Sequence, residues 1–290
     1  MSLSKKIDFA VIFRVKNANP NGDPLNGNRP RTDFDGKGEV SDVCIKRKIR
    51  DRLLEAGHGI YVQSDDRKTD DHPSLKARYD AVMGKSPGDE KAIRTKACAE
   101  WFDVRAFGQL FPFKAEKGNK GKKEKTGDDG NGEDGDTKAV SIGIRGPVSI
   151  HPAFSIEPVT VTSTQITKSV SAEGDGSKRG SDTMGMKHRV DSGVYVFKGS
   201  MNPQLAERTG FSDADAAIVK TILPRMFEND ASAARPEGSI GVLKVIWWEH
   251  DSESGRYSSA RVHGSLSVNG DGTYRLDELT GLKPEEIDGF

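Results

Sequence analysis

Apolar residues alternate with other types from Ile7 to Val15: Ile7, Phe9, Val11, Phe13 and Val15 fall on one side, Asp8, Ala10, Ile12 and Arg14 on the other. A period of two predicts a half-buried strand. The next patterned stretch changes period. Ile45, Ile49 and Leu53 recur every fourth residue, with Ser41 or Asp42 placed to cap and Gly57 to stop, which predicts a helix. Residues 58–113 read as mostly helical, with Ala97, Trp101, Val104 and Phe107 near helical spacing, and as an inserted subdomain. Strand-like runs return at Val140–Val148, Val159–Val170 and Thr183–Gly199. Ser212 and Asp215 form a capping box for a second helix, whose Ile218, Val219, Ile222, Leu223, Met226 and Phe227 face inward. Ser239–Trp248 is a buried strand, followed by two weaker strands and an acidic end.

Stripped of insertions, the order is strand, helix, strand, strand, helix, strand. That is an α+β fold of the ferredoxin-like (split βαβ) kind, the plan also of the RNA recognition motif, and residues 1–290 are expected to form one such domain. So widespread a fold says little about function.

Between the elements lie three distinctive segments. Asn17 to Gly38 (NANPNGDPLNGNRPRTDFDGKG) follows the first strand. It is far longer than the usual connection of about 4–6 residues. Its Asn, Gly, Pro and Asp residues each specify turn geometry, which predicts a shaped surface loop. Residues 114–138 hold almost no apolar side chains, with lysines first and acids after, and are expected to be a disordered surface loop. Ser171–Asp182 is a Gly/Ser-rich tip between two strand-like arms.

Composition narrows the possibilities. The 290-residue chain is 34% hydrophobic and 30% charged with zero formal net charge, so any attraction to nucleic acid must arise from local asymmetry. Cys44 and Cys98 lack metal-ligand spacing and read as reduced thiols. No apolar run approaches a membrane span and the amino-terminal residues do not resemble a secretion signal, so a soluble, cytoplasmic protein without membrane partners is expected.

No nucleotide-binding, nucleophile-elbow or zinc motif is found, and neither a cofactor nor a metal site is expected. His250–Asp251 ends a strand in turn-rich sequence, and Asp70–Asp71–His72 precedes a helix as capping residues do. Asp33 and Asp35, in the long loop, are the carboxylates that an RNA endonuclease reading would use, through a metal-aided route. Turn chemistry explains them equally well.

The cationic residues are more informative. On the first helix Lys46 and Arg50 flank the apolar stripe with Arg47 further round, and Lys48 and Arg52 lie on the other flank. Asp51 and Glu55 balance part of this charge, so both a salt-bridged helix and a nucleic-acid face remain open. Arg29 and Arg31 sit in the loop feeding that helix, whose N-terminus favours anions. A second cluster (Lys168, Lys178, Arg179, Lys187, His188 and Arg189) lies along the arms and tip of a protruding hairpin, with Met184 and Met186 among the charges. A methionine in that setting either wedges against a base while the cations hold phosphates, or packs into the neighbouring core.

The ordered set NPNGDP…GNRPRTD, SDVCIKRKIRD, SIGIRGPV and QITKS…TMGMKHRV…GVYVFKG resembles the backbone subunit family of type I CRISPR surveillance (Cascade) complexes, most like the type I-C branch. The resemblance runs from Ile7 to about Asn202. It implies an RNA-recognition-motif palm with inserted finger elements and a thumb hairpin at residues 165–190. It further implies a non-catalytic protein that stacks head to tail on guide CRISPR RNA, grips its sugar–phosphate backbone and kinks it at intervals. The bases then pair with a target DNA strand in antiviral interference. Partners so implied are further copies of the chain and the guide-end-binding and large subunits. The site residues implied are Arg29, Arg31, Lys46, Arg47, Arg50, Arg145, Gln165, Lys168, Lys178, Arg179, Met184, Lys187, His188 and Arg189.

Overall fold

The computed structural model describes residues 2–84, 89–113, 140–167 and 184–290. The expected disordered loop at 114–138 and the tip at 171–182 lie outside the described residues. In chain order the elements are β1 (Ile7–Ala18), β2 (Gly22–Asp23), β3 (Arg29–Pro30), β4 (Lys37–Val40), α1 (Asp42–Glu55), α2 (Leu75–Met83), α3 (Glu90–Glu100), α4 (Phe102–Phe107), β5 (Gly108–Phe113), β6 (Val140–Arg145) and β7 (Val148–Ile150). They continue with β8 (Ala153–Pro158), β9 (Val161–Thr167), β10 (Met184–Met201), α5 (Pro203–Thr209), α6 (Asp213–Ile222), β11 (Ile240–Glu249), α7 (Ser259–Gly264), β12 (Leu266–Val268), β13 (Tyr274–Leu276) and β14 (Glu285–Asp288).

Among the described residues, eight strands form one sheet in the order β14-β11-β1-β10-β8-β4, with β7 and β9 also paired to β10. Neighbours are antiparallel, and β1 lies between β10 and β11. On one face α1 and α6 bury the predicted stripes: Ile45, Ile49, Leu53, Val219 and Ile222 join Phe9, Val11, Phe13 and Val15 in the main core. Ser41 caps α1 and Ser212 with Asp215 forms the capping box of α6, as their spacing predicts. Asn17, at φ +54°, interrupts the alternation of β1, so Val15 and Ala18 both reach this core.

The opposite face departs from expectation. β1 is buried on both sides rather than half-buried, because the C-terminal segment carrying α7, β12 and β13 covers the sheet. Ala10, Ile246 and Trp248 pack there against Val262, Leu266 and Leu282. Under that cover lies Asp8, fully buried, 2.9 Å from His250 Nε2. His250 Nδ1 accepts the Arg256 N–H at 3.0 Å, so the proton sits on Nε2 and is donated to Asp8. The turn read from sequence after His250 is present, with Asp251 exposed and paired to Arg256, while His250 itself is buried against Asp8.

A second core is built from Tyr61, Tyr79, Ile93, Ala97, Trp101, Val104 and Phe111 with Ile142 and Ile144. β6, the first part of the Val140–Val148 run, pairs with β5 in a separate ribbon, and it is β7 that joins the main sheet. Where this unit meets the sheet, backbones cross closely: a Cβ on Gly146 would stand 2.3 Å from the Ala106 carbonyl oxygen. Arg50 and Arg105 tie the unit down. Arg50 Nε donates to Asp103 Oδ2 at 2.9 Å, and Arg105 Nη2 donates to Asp215 Oδ1 at 2.8 Å.

Candidate nucleic-acid interface

The Asn17–Gly38 loop is held in shape by its own turn residues. Asp23 caps a short 3-10 turn at Pro24–Asn26, and Gly27 and Asn28 follow at φ +57° and +59°. Asn19 Nδ2 donates to the Asn28 carbonyl at 2.7 Å, and Asn21 Oδ1 accepts from Ser41 N and Oγ at 2.9 and 2.8 Å. The Asn19 bond closes the loop on itself, and the Asn21 bonds join its base to the N-terminus of α1. Each replaces a water contact with an intramolecular one and fixes the backbone that carries the two arginines.

β10 is 18 residues long, and its pairing with β1 ends at Ala18↔Val190. Met184 to Arg189 therefore run past the end of β1 and pair with Thr162–Thr167 of β9. Directly opposed residues of an antiparallel pair share a face. Met184, Met186 and His188 consequently lie with Thr167, Gln165 and Ser163, while Lys187 and Arg189 lie with Thr164 and Thr162 on the reverse. Met184 and Met186 are 63% and 54% exposed, so the core-packing alternative does not hold for them.

Loop and hairpin meet at one hydroxyl. Arg29 Nη1 donates to Ser163 Oγ at 3.1 Å, and His188 Nδ1 lies 2.8 Å from the same oxygen. Gln165 Nε2 contacts Met184 Sδ at 2.7 Å. The structure thus brings Arg29, Gln165, Met184 and His188 together on one exposed surface. Ser163 is the residue that sequence reasoning missed: a serine in the run VTSTQIT carries no signal that Arg29 and His188 converge on it.

The remaining candidates are placed elsewhere. Arg31 is half-buried, 3.6 Å from Asp23 Oδ1, with its Nε buried and without a hydrogen-bond acceptor. On α1 the charges are turned to internal partners: Lys46 to Asp42 at 2.9 Å, Arg47 to Asp66 at 3.1 Å and Asp51 at 3.7 Å, and Arg50 to the buried Asp103. Lys48 and Arg52, on the other flank of the apolar stripe, are buried and paired with Asp230 and Glu55, as the salt-bridged alternative has it. Burial holds the Lys48 amine below its usual range, although Asp230 favours the charged form. Arg189 pairs with Asp191 at 3.5 Å, whereas Lys187 is exposed without an ion pair among the described residues. Arg145 is exposed on β6, in the ribbon away from the hairpin. Lys168, Lys178 and Arg179 lie outside the described residues.

The loop carboxylates have a different occupation. Asp33 Oδ1 accepts the N–H groups of Asp35 and Lys37 at 3.0 and 2.8 Å, which closes the turn before β4. That arrangement spends the carboxylate on backbone and lends no support to a nuclease. Among the described residues no cluster of three or more metal-ligating side chains occurs, and no helix is long and apolar enough to cross a membrane.

A family model described as CRISPR-associated protein Cas7 matches residues 5–283. A Haloferax volcanii protein of the same description is 25% identical over 294 residues, covering 99% of this chain and 82% of the relative. Among solved structures, a chain described as a CRISPR RNA-guided surveillance complex, pre-nicking, aligns with TM-score 0.46 at 16% identity, over 84% of this chain and 78% of that one. Another, described as a CRISPR RNA-guided surveillance complex, aligns with TM-score 0.43 at 15% identity, over 92% of this chain and 77% of that one.

Proposed function

The chain belongs to the Cas7 family of CRISPR-associated proteins, and on that premise we propose that it is a non-catalytic backbone subunit gripping guide CRISPR RNA by its sugar–phosphate chain. The single observation that carries this reading is the surface where Arg29, Ser163 and His188 lock a rigid loop to the projecting β9–β10 arm. Arg29 and His188 there offer donors to phosphate and 2′-hydroxyl oxygens, and the exposed Met184 and Met186 are apolar wedges against a base. Lys187 on the reverse of the arm adds a cation for a neighbouring phosphate.

The sheet order β11-β1-β10-β8, with α1 and α6 on one face, supports a palm of the RNA-recognition-motif kind, with 58–113 as the inserted finger and 165–190 as the thumb. Such motifs stack bases on the open face of the sheet. Here that face is covered at Ala10, Ile246 and Trp248, which favours a backbone grip over base stacking. Bases left unread remain available to pair with a target DNA strand, so that sequence specificity belongs to the guide. Copies stacked head to tail along one guide, with the guide-end-binding and large subunits of a type I-C-like complex, complete the assembly we envisage.

Co-expression with a guide array followed by sizing chromatography and light scattering tests the reading. A high-mass particle holding intact RNA of uniform length is expected. Each phosphate contact adds about 0.7 to the slope of log affinity against log salt for a single strand, so Arg29→Ala is expected to flatten that slope by about 0.7. A protein that stays free of RNA in the presence of guide and companion subunits refutes the proposal.

A further inference from the structure

Two surface features take no part in the arrangement above. The first is Phe34, whose ring is fully exposed at the apex of the turn that Asp33 closes. The backbone that presents the ring is constrained by the turn. Gly36 adopts φ +76°, Thr32 and Gly38 are bridged, and Val159 N donates to the Gly36 carbonyl at 2.9 Å. A large apolar side chain presented in water on a constrained turn loses little entropy when it binds, as interface anchors do. The second feature is a groove of about 600 Å³ between α3 and the α5–α6 connection. Thr95, Cys98 and Ala99 line one side and Glu207, Arg208 and Gly210 the other. The Arg105–Asp215 ion pair belongs to the same lining, and the small Cys98, Ala99 and Gly210 leave room for a ring between these charged neighbours.

The two features lie toward opposite ends of the sheet. Val159, bonded to the turn, sits against Gly193, which pairs with Val15 late in β1. The groove adjoins Phe211, whose carbonyl accepts from Leu3 N at 2.9 Å, before β1 begins. The strand from Ile7 to Val15 alone spans roughly 27 Å at about 3.4 Å per residue, so the ring does not reach the groove of its own molecule. A contact between unlike surfaces on two copies does not close on itself when the rotation fails to complete a ring; it propagates. The charges match in pairs. Asp35 and Lys37 follow Phe34 through the turn, Arg208 and Glu207 border the groove, and none of the four is in an ion pair among the described residues. Asp33 and Asp35 on either side of the ring would repel phosphates, which disfavours a nucleic-acid strand as the occupant.

We propose that the Phe34 turn of one copy docks in the α3/α5–α6 groove of a second copy, with Asp35 meeting Arg208 and Lys37 meeting Glu207. The inference names the joint of the assembly proposed above and rests on that reading for the filament, though the contact itself needs no RNA. The test places the photoreactive residue p-benzoylphenylalanine at position 34 of the full chain, irradiates it with and without guide RNA, and maps the adducts by mass spectrometry. Adducts on peptides 95–99 or 207–210 of a second copy support the proposal. Adducts on RNA, adducts elsewhere on the protein, or none, overturn it.

Variants supply the second readout. Phe34→Ala is expected to weaken association between copies roughly tenfold or more, as loss of an anchor residue does. Binding of one copy to a short RNA should be unchanged. Asp35→Lys and Arg208→Glu are each expected to disrupt assembly and, combined, to restore it; a double variant no better than either single one counts against the pairing. Wild-type protein that binds no RNA yet gives the protein–protein adducts refutes the guide-binding reading alone.

Discussion

Arg50→Ala separates a structural from an RNA-binding role for the basic helix. Arg50 is 13% and Asp103 1% exposed, and the carboxylate also accepts Tyr61 N at 2.8 Å and Val62 N at 3.1 Å. The guanidinium lies 5.2 Å from the Phe107 ring centroid. Removing one member of a buried pair strands the other charge and typically costs about 3–5 kcal/mol. The two backbone donors continue to solvate Asp103, which places the cost near the lower bound, about 3 kcal/mol. For a chain of this size that lowers Tm by roughly 5 °C. Thermal melts followed by tryptophan fluorescence report it directly, because Trp101 lies in the core that this pair tethers. Asp103→Asn, which keeps the shape and removes the charge, should lose a similar amount. RNA anisotropy titrations across a salt series, on folded Arg50→Ala, should give the wild-type slope. A variant that melts within 1 °C of wild type and loses about 0.7 of the slope would refute this reasoning and return Arg50 to the RNA.

Other perturbations have equally definite outcomes. Ser163→Ala removes the oxygen that joins Arg29 to His188, and is expected to weaken short-RNA binding a few-fold in filter or anisotropy assays while leaving Tm within about 1 °C. Gly146→Ala would set a methyl 2.3 Å from the Ala106 oxygen and 2.5 Å from the Gly108 nitrogen, both backbone, and should destabilise by about 1–3 kcal/mol in urea unfolding. Burial holds His263 below its ordinary 6.5, against the attraction of Asp8. The unfolded chain therefore takes up the proton first as pH falls below about 6.5, so stability declines there, and His263→Gln should flatten the decline between pH 7 and 5.5. Burial pushes the Asp8 carboxyl up, but hydrogen bonds from His250 and Ser259 and the Lys6 charge outweigh it and hold Asp8 below 3.8. Its stabilising contribution is thus full above about pH 4 and lost as pH falls through the folded value, which denaturation midpoints at pH 5 and pH 3 would register.

What the sequence by itself determined is what near neighbours in the chain decide. The period of two in β1, the four-residue spacing of Ile45, Ile49 and Leu53, the Ser212–Asp215 box and the turn chemistry of Asn17–Gly38 each depend on contacts within a few residues. All recur as elements in the structure, although β1 is buried on both faces and not on one alone. The ordered motifs likewise carried the family. Only the tertiary structure decided which charges face solvent. Lys46, Arg47, Arg50, Lys48 and Arg52 look alike along α1, and the partners Asp66, Asp103 and Asp230 arrive from chain 19 to 182 residues away. A spare cation and a committed one differ in what is packed opposite, which no periodicity encodes. For the same reason the C-terminal cover over Ala10 and the meeting of Arg29 with Ser163 and His188 were not legible: both join segments whose separation in sequence exceeds 130 residues. Local patterns fix the elements because backbone geometry is local. The site is set by which elements the sheet places side by side.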